Sequence, residues 1–305
     1  LQEVLANTED RLEGQLPQQW WQLDYALILR EKVSKHDGAR NHYQNDLEAD
    51  LASCQAWKEL SDDKQRIYQQ HMLDYINLEP LSDDWDKGDG LHRPAAAGLR
   101  ALIYFCVQEP QFLKNITESA WRHWAAPAFR IRLTSNNQNF QTTKLFAELF
   151  ARVPDCCIKA IKAWRDTGAP VNFPSEIISF FADTADVSDE LLSALWEAAN
   201  SLKTNIGDAR QIVRFLAGRH YPVLVEEAFN TISSIDADTE VDTEQDQHFP
   251  NLKVTIAAEV LRLNLKNSWK LLREKHALHP QPAEWYLMAV ADRNRWGEVS
   301  IIKPL

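Results

Sequence analysis

Catalytic, metal and phosphate chemistry each need particular residue types at particular spacings. Loops that cradle phosphate place glycines in succession so that backbone N–H groups can close on the anion. The chain has 9 glycines in 305 residues, with no dinucleotide fingerprint and no Gly-Lys-Ser/Thr run. Zinc hydrolases use two histidines one helical turn apart around a glutamate, and that pair is missing too. His276 and His279 are three residues apart, but Pro280 ends a helix that would carry them, and both are read as surface histidines. From Asp84 to Gly90 the pattern resembles a calcium loop. Counted from Asp84, however, Asp89 takes the sixth position, where glycine permits the turn, and Ala95 the twelfth, where a bidentate glutamate is needed. A plain turn is the better reading. No Gly-x-Ser-x-Gly elbow occurs, and Cys157 falls on one apolar stripe with Ile161 and Trp164, as a core thiol does. The expectation is a chain with no catalytic residue, no cofactor and no metal site of its own.

What remains is binding chemistry. The run Trp121-Arg122-His123-Trp124-Ala125-Ala126-Pro127-Ala128-Phe129-Arg130-Ile131-Arg132 interleaves aromatics with arginines, the residue types enriched at interface hot spots. Arg130 and Arg132 flank Ile131, so in an extended link both point to one side. Arg93 and Arg100 lie upstream in the same basic stretch. The expected partner-binding set is Arg93, Arg100, Arg122, Trp124, Arg130 and Arg132, meeting an acidic surface on a protein partner or on the rest of a longer chain. The chain's own acidic segment, 232–248, would then compete for the same residues. The competing reading makes Trp121 and Trp124 core and pairs the arginines with the acidic parts of the chain.

Helices carry these residues. Apolar residues recur at three- and four-residue steps, as in Trp21, Tyr25, Ile28, Leu29 and Val33, then Leu99, Leu102, Ile103 and Cys106, then Leu191, Leu192, Leu195, Trp196 and Ala199. The pattern predicts about fourteen helices. Prolines at 80, 94, 110, 127, 154, 170, 222, 250 and 280 mark helix boundaries, because proline is tolerated in a first turn and not in an interior. Thr117 and Ser188 are suited to cap the helices that follow them. Helices of this length in pairs are what a stacked helical-hairpin array requires. The predicted fold is all-α, an irregular HEAT- or TPR-like solenoid. Its segments are an N-terminal helical group at 1–78, central repeats at 92–231, an acidic flexible loop at 232–249 and a C-terminal helical group at 250–305. The Pro-, Asp- and Gly-containing run 79–91 reads as the loop between the first two.

The formal charge is −11, which argues against polyanions as bulk partners. Residues 1–91 hold 9 basic and 19 acidic side chains, and 92–165 hold 11 and 4. Residues 166–248 hold 4 and 16, and 249–305 hold 9 and 5. Basic and acidic blocks therefore alternate, and 92–165 could bind an acidic surface despite the total. That block also sustains an alternative, a helical-repeat nucleic-acid binder or DNA-glycosylase-like enzyme. An all-helical enzyme with an unrecognised site is a third class.

At Leu91-His92-Arg93-Pro94-Ala95-Ala96-Ala97-Gly98-Leu99-Arg100-Ala101-Leu102 the chain resembles helical regions that follow the nucleotide-binding module in bacterial NACHT and related STAND-type ATPases, some of which act in defence against phage. Trp20-Trp21 before a long helix is similar in character. The resemblance implies a sensor or scaffold portion that recognises a ligand, often a foreign protein, and signals to an ATPase. Four cysteines and no long apolar run lead to the expectation of a cytoplasmic protein without a membrane span. A start at Leu1 leads to the expectation of a piece of a longer chain.

Overall fold

The computed structural model describes residues 2–11, 18–35, 51–78, 92–131, 138–167, 178, 180–181, 187–201, 206–236, 252–263 and 266–291. Among them there are fourteen α-helices and two 3-10 turns, and no strand. The all-α class follows. In chain order the helices are α1 (Gln2–Arg11), α2 (Trp20–Lys35), α3 (Gln55–Lys58), α4 (Asp62–Asn77), α5 (Arg93–Val107), α6 (Glu118–Arg130) and α7 (Gln138–Arg152). They continue as α8 (Pro154–Thr167), α9 (Asp189–Ser201), α10 (Ile206–Gly218), α11 (Pro222–Ser233), α12 (Leu252–Arg262), α13 (Lys266–Leu278) and α14 (Pro280–Ala291). The 3-10 turns are Leu51–Ser53 and Pro110–Asn115.

The starts of several helices follow from their first residues. Pro94, Pro154, Pro222 and Pro280 each stand in a first turn, where the missing N–H costs nothing. Thr117 Oγ1 accepts from the Ala120 N–H at 3.2 Å, and Ser188 Oγ from the Leu191 N–H at 3.3 Å. Ser61 does the same for Lys64 at 3.3 Å, ahead of Asp62 and Asp63, whose charges suit a helix N-terminus. Pro127 departs from the expected pattern, because it lies inside α6 instead of starting a helix. It falls in the last turn, where only one carbonyl loses its donor, and Ile131 still bonds back to the Pro127 oxygen at 2.9 Å.

The chain divides into two compact units, Leu1–Ala160 with Ser179–Asp183, and Ile161–Ile178 with Thr184–Leu305. The division falls inside α8. The segment 79–91, read from the sequence as a loop, lies outside the described residues. The acidic loop read at 232–249 begins too early: Ile232 and Ser233 still belong to α11, and Ile232 and Ile235 are fully buried apolar residues of the core, while the part from 237 on lies outside the described residues.

In the first unit α5 is the hub. It packs against α2, α4, α6, α7 and both 3-10 turns. Every residue from Ala95 to Cys106 is buried, and all but Arg100 are glycine, apolar or aromatic. Its first half is small, Ala95-Ala96-Ala97-Gly98, and this lets neighbours approach closely. A Cβ built on Gly98 would stand 1.9 Å from Cη2 of Trp124. Trp124 is itself fixed, its indole N–H donating to the Ile76 carbonyl at 3.0 Å. Around α5 run two aromatic clusters. Trp20, Tyr68, Trp57, Tyr104, Phe105 and Phe112 follow one another with ring centroids 5.1–6.4 Å apart. Phe129, Phe146, Phe150, Phe180 and Phe181 form the second. The helix α1 is tied to α4 through Glu9, which accepts from the Tyr68 hydroxyl and the Lys64 ammonium, both at 2.6 Å.

One charge crosses this core. Arg100, in the middle of α5, donates from Nε to Asp24 Oδ1 of α2 at 3.0 Å and from Nη2 to Oδ2. The side chains are 4% and 1% exposed. The two-pronged geometry matches a guanidinium to a carboxylate and fixes how α2 lies along α5.

In the second unit each helix from α9 packs on its successor, and α10, α11 and α12 also pack on the helix after next. The core is drawn from α11 to α14, with Ile232, Ala257, Leu261, Leu272, Ala283 and Tyr286 among its members. Here α12 is buried from Thr255 to Leu261, and it too carries one buried charge. Glu259 is 5% exposed and accepts from Arg214 Nε of α10 at 2.8 Å and from Arg262 Nη1. Arg262 continues to the carbonyls of Ala289 and Val290, at 2.6 and 3.1 Å, in the last turn of α14, where carbonyls have no partner within the helix. The turn from α10 to α11 places His220 at φ 53°. Tyr221 N–H bonds to Leu216 O and His220 N–H to Ala217 O, the pattern that closes a helix through a left-handed residue.

Substitutions at three positions test the hub. Ala at Gly98 gains helix propensity of up to about 1 kcal/mol but overpacks against a tethered indole, for about 1–3 kcal/mol, so G98A is expected to lower the urea midpoint. A raised midpoint would show that α5 and α6 do not meet this way. R100M leaves Asp24 buried and unpaired, at a cost of about 3–5 kcal/mol, and adding D24L is expected to restore most of it. Equilibrium unfolding of the two singles and the double reads the difference, and a tolerated R100M would contradict the buried pair.

Candidate functional site

The candidate docking residues all come from α5, α6 and the link after α6, so the first unit alone positions those described. Arg93 opens α5 and is exposed, its guanidinium stacked 3.8 Å from the ring centre of Tyr25 on α2. Arg122 is also at the surface of α6, 45% exposed. Two others are not at the surface. Arg100 is buried against Asp24 and Trp124 is 2% exposed against Gly98 and Ile76, so neither is available to an incoming partner. The physical reason is α5 itself, which touches neighbours on all sides and draws both residues into the core. For Arg130 only the backbone, at the end of α6, is described, and Arg132 lies outside the described residues.

The surroundings of Arg122 change its chemistry. Its Nε donates to Glu118 Oε1 at 2.9 Å, one turn back on α6. Its Nη1 donates to Asp155 Oδ2 at 2.8 Å and lies 3.5 Å from Cys156 Sγ, both in the first turn of α8. One guanidinium thus meets two carboxylates. The Asp155 hydrogen bond first, and the Glu118 bond next, hold the guanidinium in its charged form above its ordinary range. The same hydrogen bond from Arg122 holds the Asp155 carboxyl below its ordinary value. What the sequence presented as an electropositive point is, in place, a locally neutralised bridge between α6 and α8.

Other ion pairs involve residues that the sequence did not single out, in each unit by itself. Arg152, at the end of α7, lies 5.0 Å from the ring centre of Trp121 and pairs with Glu148 at 2.9 Å. The Glu148/Arg152 spacing of four on one helix was the available signal. Lys162 of α8 reaches Glu190 of α9 at 3.4 Å. The thiols divide by burial. Cys156 is half-buried beside Arg122, whereas Cys54, Cys106 and Cys157 are buried. Burial pushes the Cys106 thiol up to about 12 and raises Cys157 as well. Among the described residues no group of three or more His, Cys, Asp or Glu is placed to hold a metal ion. Nor, among them, is any helix long and apolar enough to cross a membrane.

The Arg122 bridge has a titration signature. A depressed carboxyl contributes stability that is present above its unfolded-state pKa and is lost as the pH falls through its folded one. In R122Q, carbon-13 NMR is expected to show Asp155 titrating closer to the ordinary aspartate range, and an unchanged midpoint would mean that the guanidinium is not its partner. The thiols give a second check. Iodoacetamide on the native protein is expected to modify Cys156 well ahead of the other three, with all four reacting once the chain is unfolded. Mass spectrometry showing Cys106 or Cys157 labelled first would contradict their burial.

No family model, no curated protein and no solved structure matches this chain.

Proposed function

We propose that this chain is a non-catalytic helical scaffold that recognises a protein partner. The observation that carries this reading is the packing of α9 to α14, where helices contact their successors and their next-but-one neighbours. That order is what a stacked helical-hairpin array uses to present a surface built from consecutive helices, and the HEAT- or TPR-like reading rests on it. In the first unit, Arg93 and Arg122 are the docking candidates at the surface. Charge at such a surface contributes to encounter and to selection among partners more than to affinity. An acidic partner would exchange with Glu118 and Asp155 for the Arg122 guanidinium.

The nucleic-acid alternative draws on the same 92–165 block. Its affinity would come from phosphates neutralised by free cations. Arg100, Arg122, Arg152 and Lys162 already face carboxylates, which leaves fewer cations of this block for phosphates. The finer reading, a sensor region of a NACHT- or STAND-type ATPase, rests on residues 91–102. Most of that stretch is the buried half of α5, where its alanines and glycine serve close packing. An adjoining coding sequence with a Gly-Lys-Ser/Thr loop would support it.

The test uses the chain as immobilised bait against proteins of its source cell, beside the double charge reversal R93E/R122E. The expected outcome is a protein retained by the native chain, released by raised salt and lost from the variant, with the helical circular dichroism of the two baits identical. Equal retention by both baits would overturn the docking surface. A low-salt gel shift of duplex or single-stranded nucleic acid by the native chain would instead favour the alternative.

A further inference from the structure

We draw no further inference here: the strongest candidate, the exposed apolar side chains Leu278 at the end of α13 and Met288 on α14, carries none because nothing in the structure shows what covers them.

Discussion

A charged side chain in the middle of a helix that is packed on every side has to be answered by a neighbouring helix at one height and in one orientation. In each compact unit the most enclosed helix carries such a charge. On α5 it is Arg100, met by both oxygens of Asp24 on α2. On α12 it is Glu259, met by Arg214 of α10 and by Arg262, which also holds the end of α14. Burying these groups is costly, so their net contribution to stability is small, while the loss of one partner is expensive. What the pairs supply is register. A guanidinium fork seated on a carboxylate is satisfied at only one height and in one orientation. Trp124 is held separately, its indole against Gly98 and its N–H on the Ile76 carbonyl.

The alternation of charge blocks along the chain acquires a physical meaning from these contacts. The basic block 92–165 sends Arg100 to Asp24 in the acidic first block and Lys162 to Glu190 in the acidic third. Arg214, from the acidic third block, goes to Glu259 in the basic fourth. Within the basic block, two of its four acidic residues, Glu118 and Asp155, gather on Arg122. A block charge computed from sequence therefore overstates the field at the surface, since opposite charges distant along the chain are brought within a few ångströms. Ion pairs at exposed positions add little stability, yet they remove the potential that would draw a polyanion.

Much of the helical architecture was legible. First-turn prolines, the Thr117 and Ser188 caps and the three-to-four-residue stripes locate helices because each acts through local geometry. Cys157 could be placed in the core on the same grounds. The candidate site was legible only in part. Arg93 and Arg122 do reach the surface, but Arg100 does not, and its partner Asp24 is 76 residues away, beyond any spacing rule. The stripe Leu99, Leu102, Ile103 and Cys106 suggests one buried face, whereas α5 is buried on all of them. The signal for that was the run of small residues before Leu99, which can face a neighbour as readily as solvent. Trp124 shows the general difficulty: a tryptophan beside arginines has the composition of a hot spot and of a core equally, and only the glycine across from it decides.

These constraints bear on how the chain would recognise anything. A surface cation free of carboxylates attracts at long range and discriminates poorly. Arg122 already has two acceptors, so a partner gains only the difference between its own carboxylates and Glu118 with Asp155. Such an exchange is weak in total but sharp in geometry, because a replacement acceptor must reach the guanidinium while the helices that hold it stay in place. Arg93 is held differently, its guanidinium over the Tyr25 ring. Arg122 is placed by α6 and by its bonds to Glu118 and Asp155, and Arg93 by α5, the helix that Arg100 ties to Asp24 of α2.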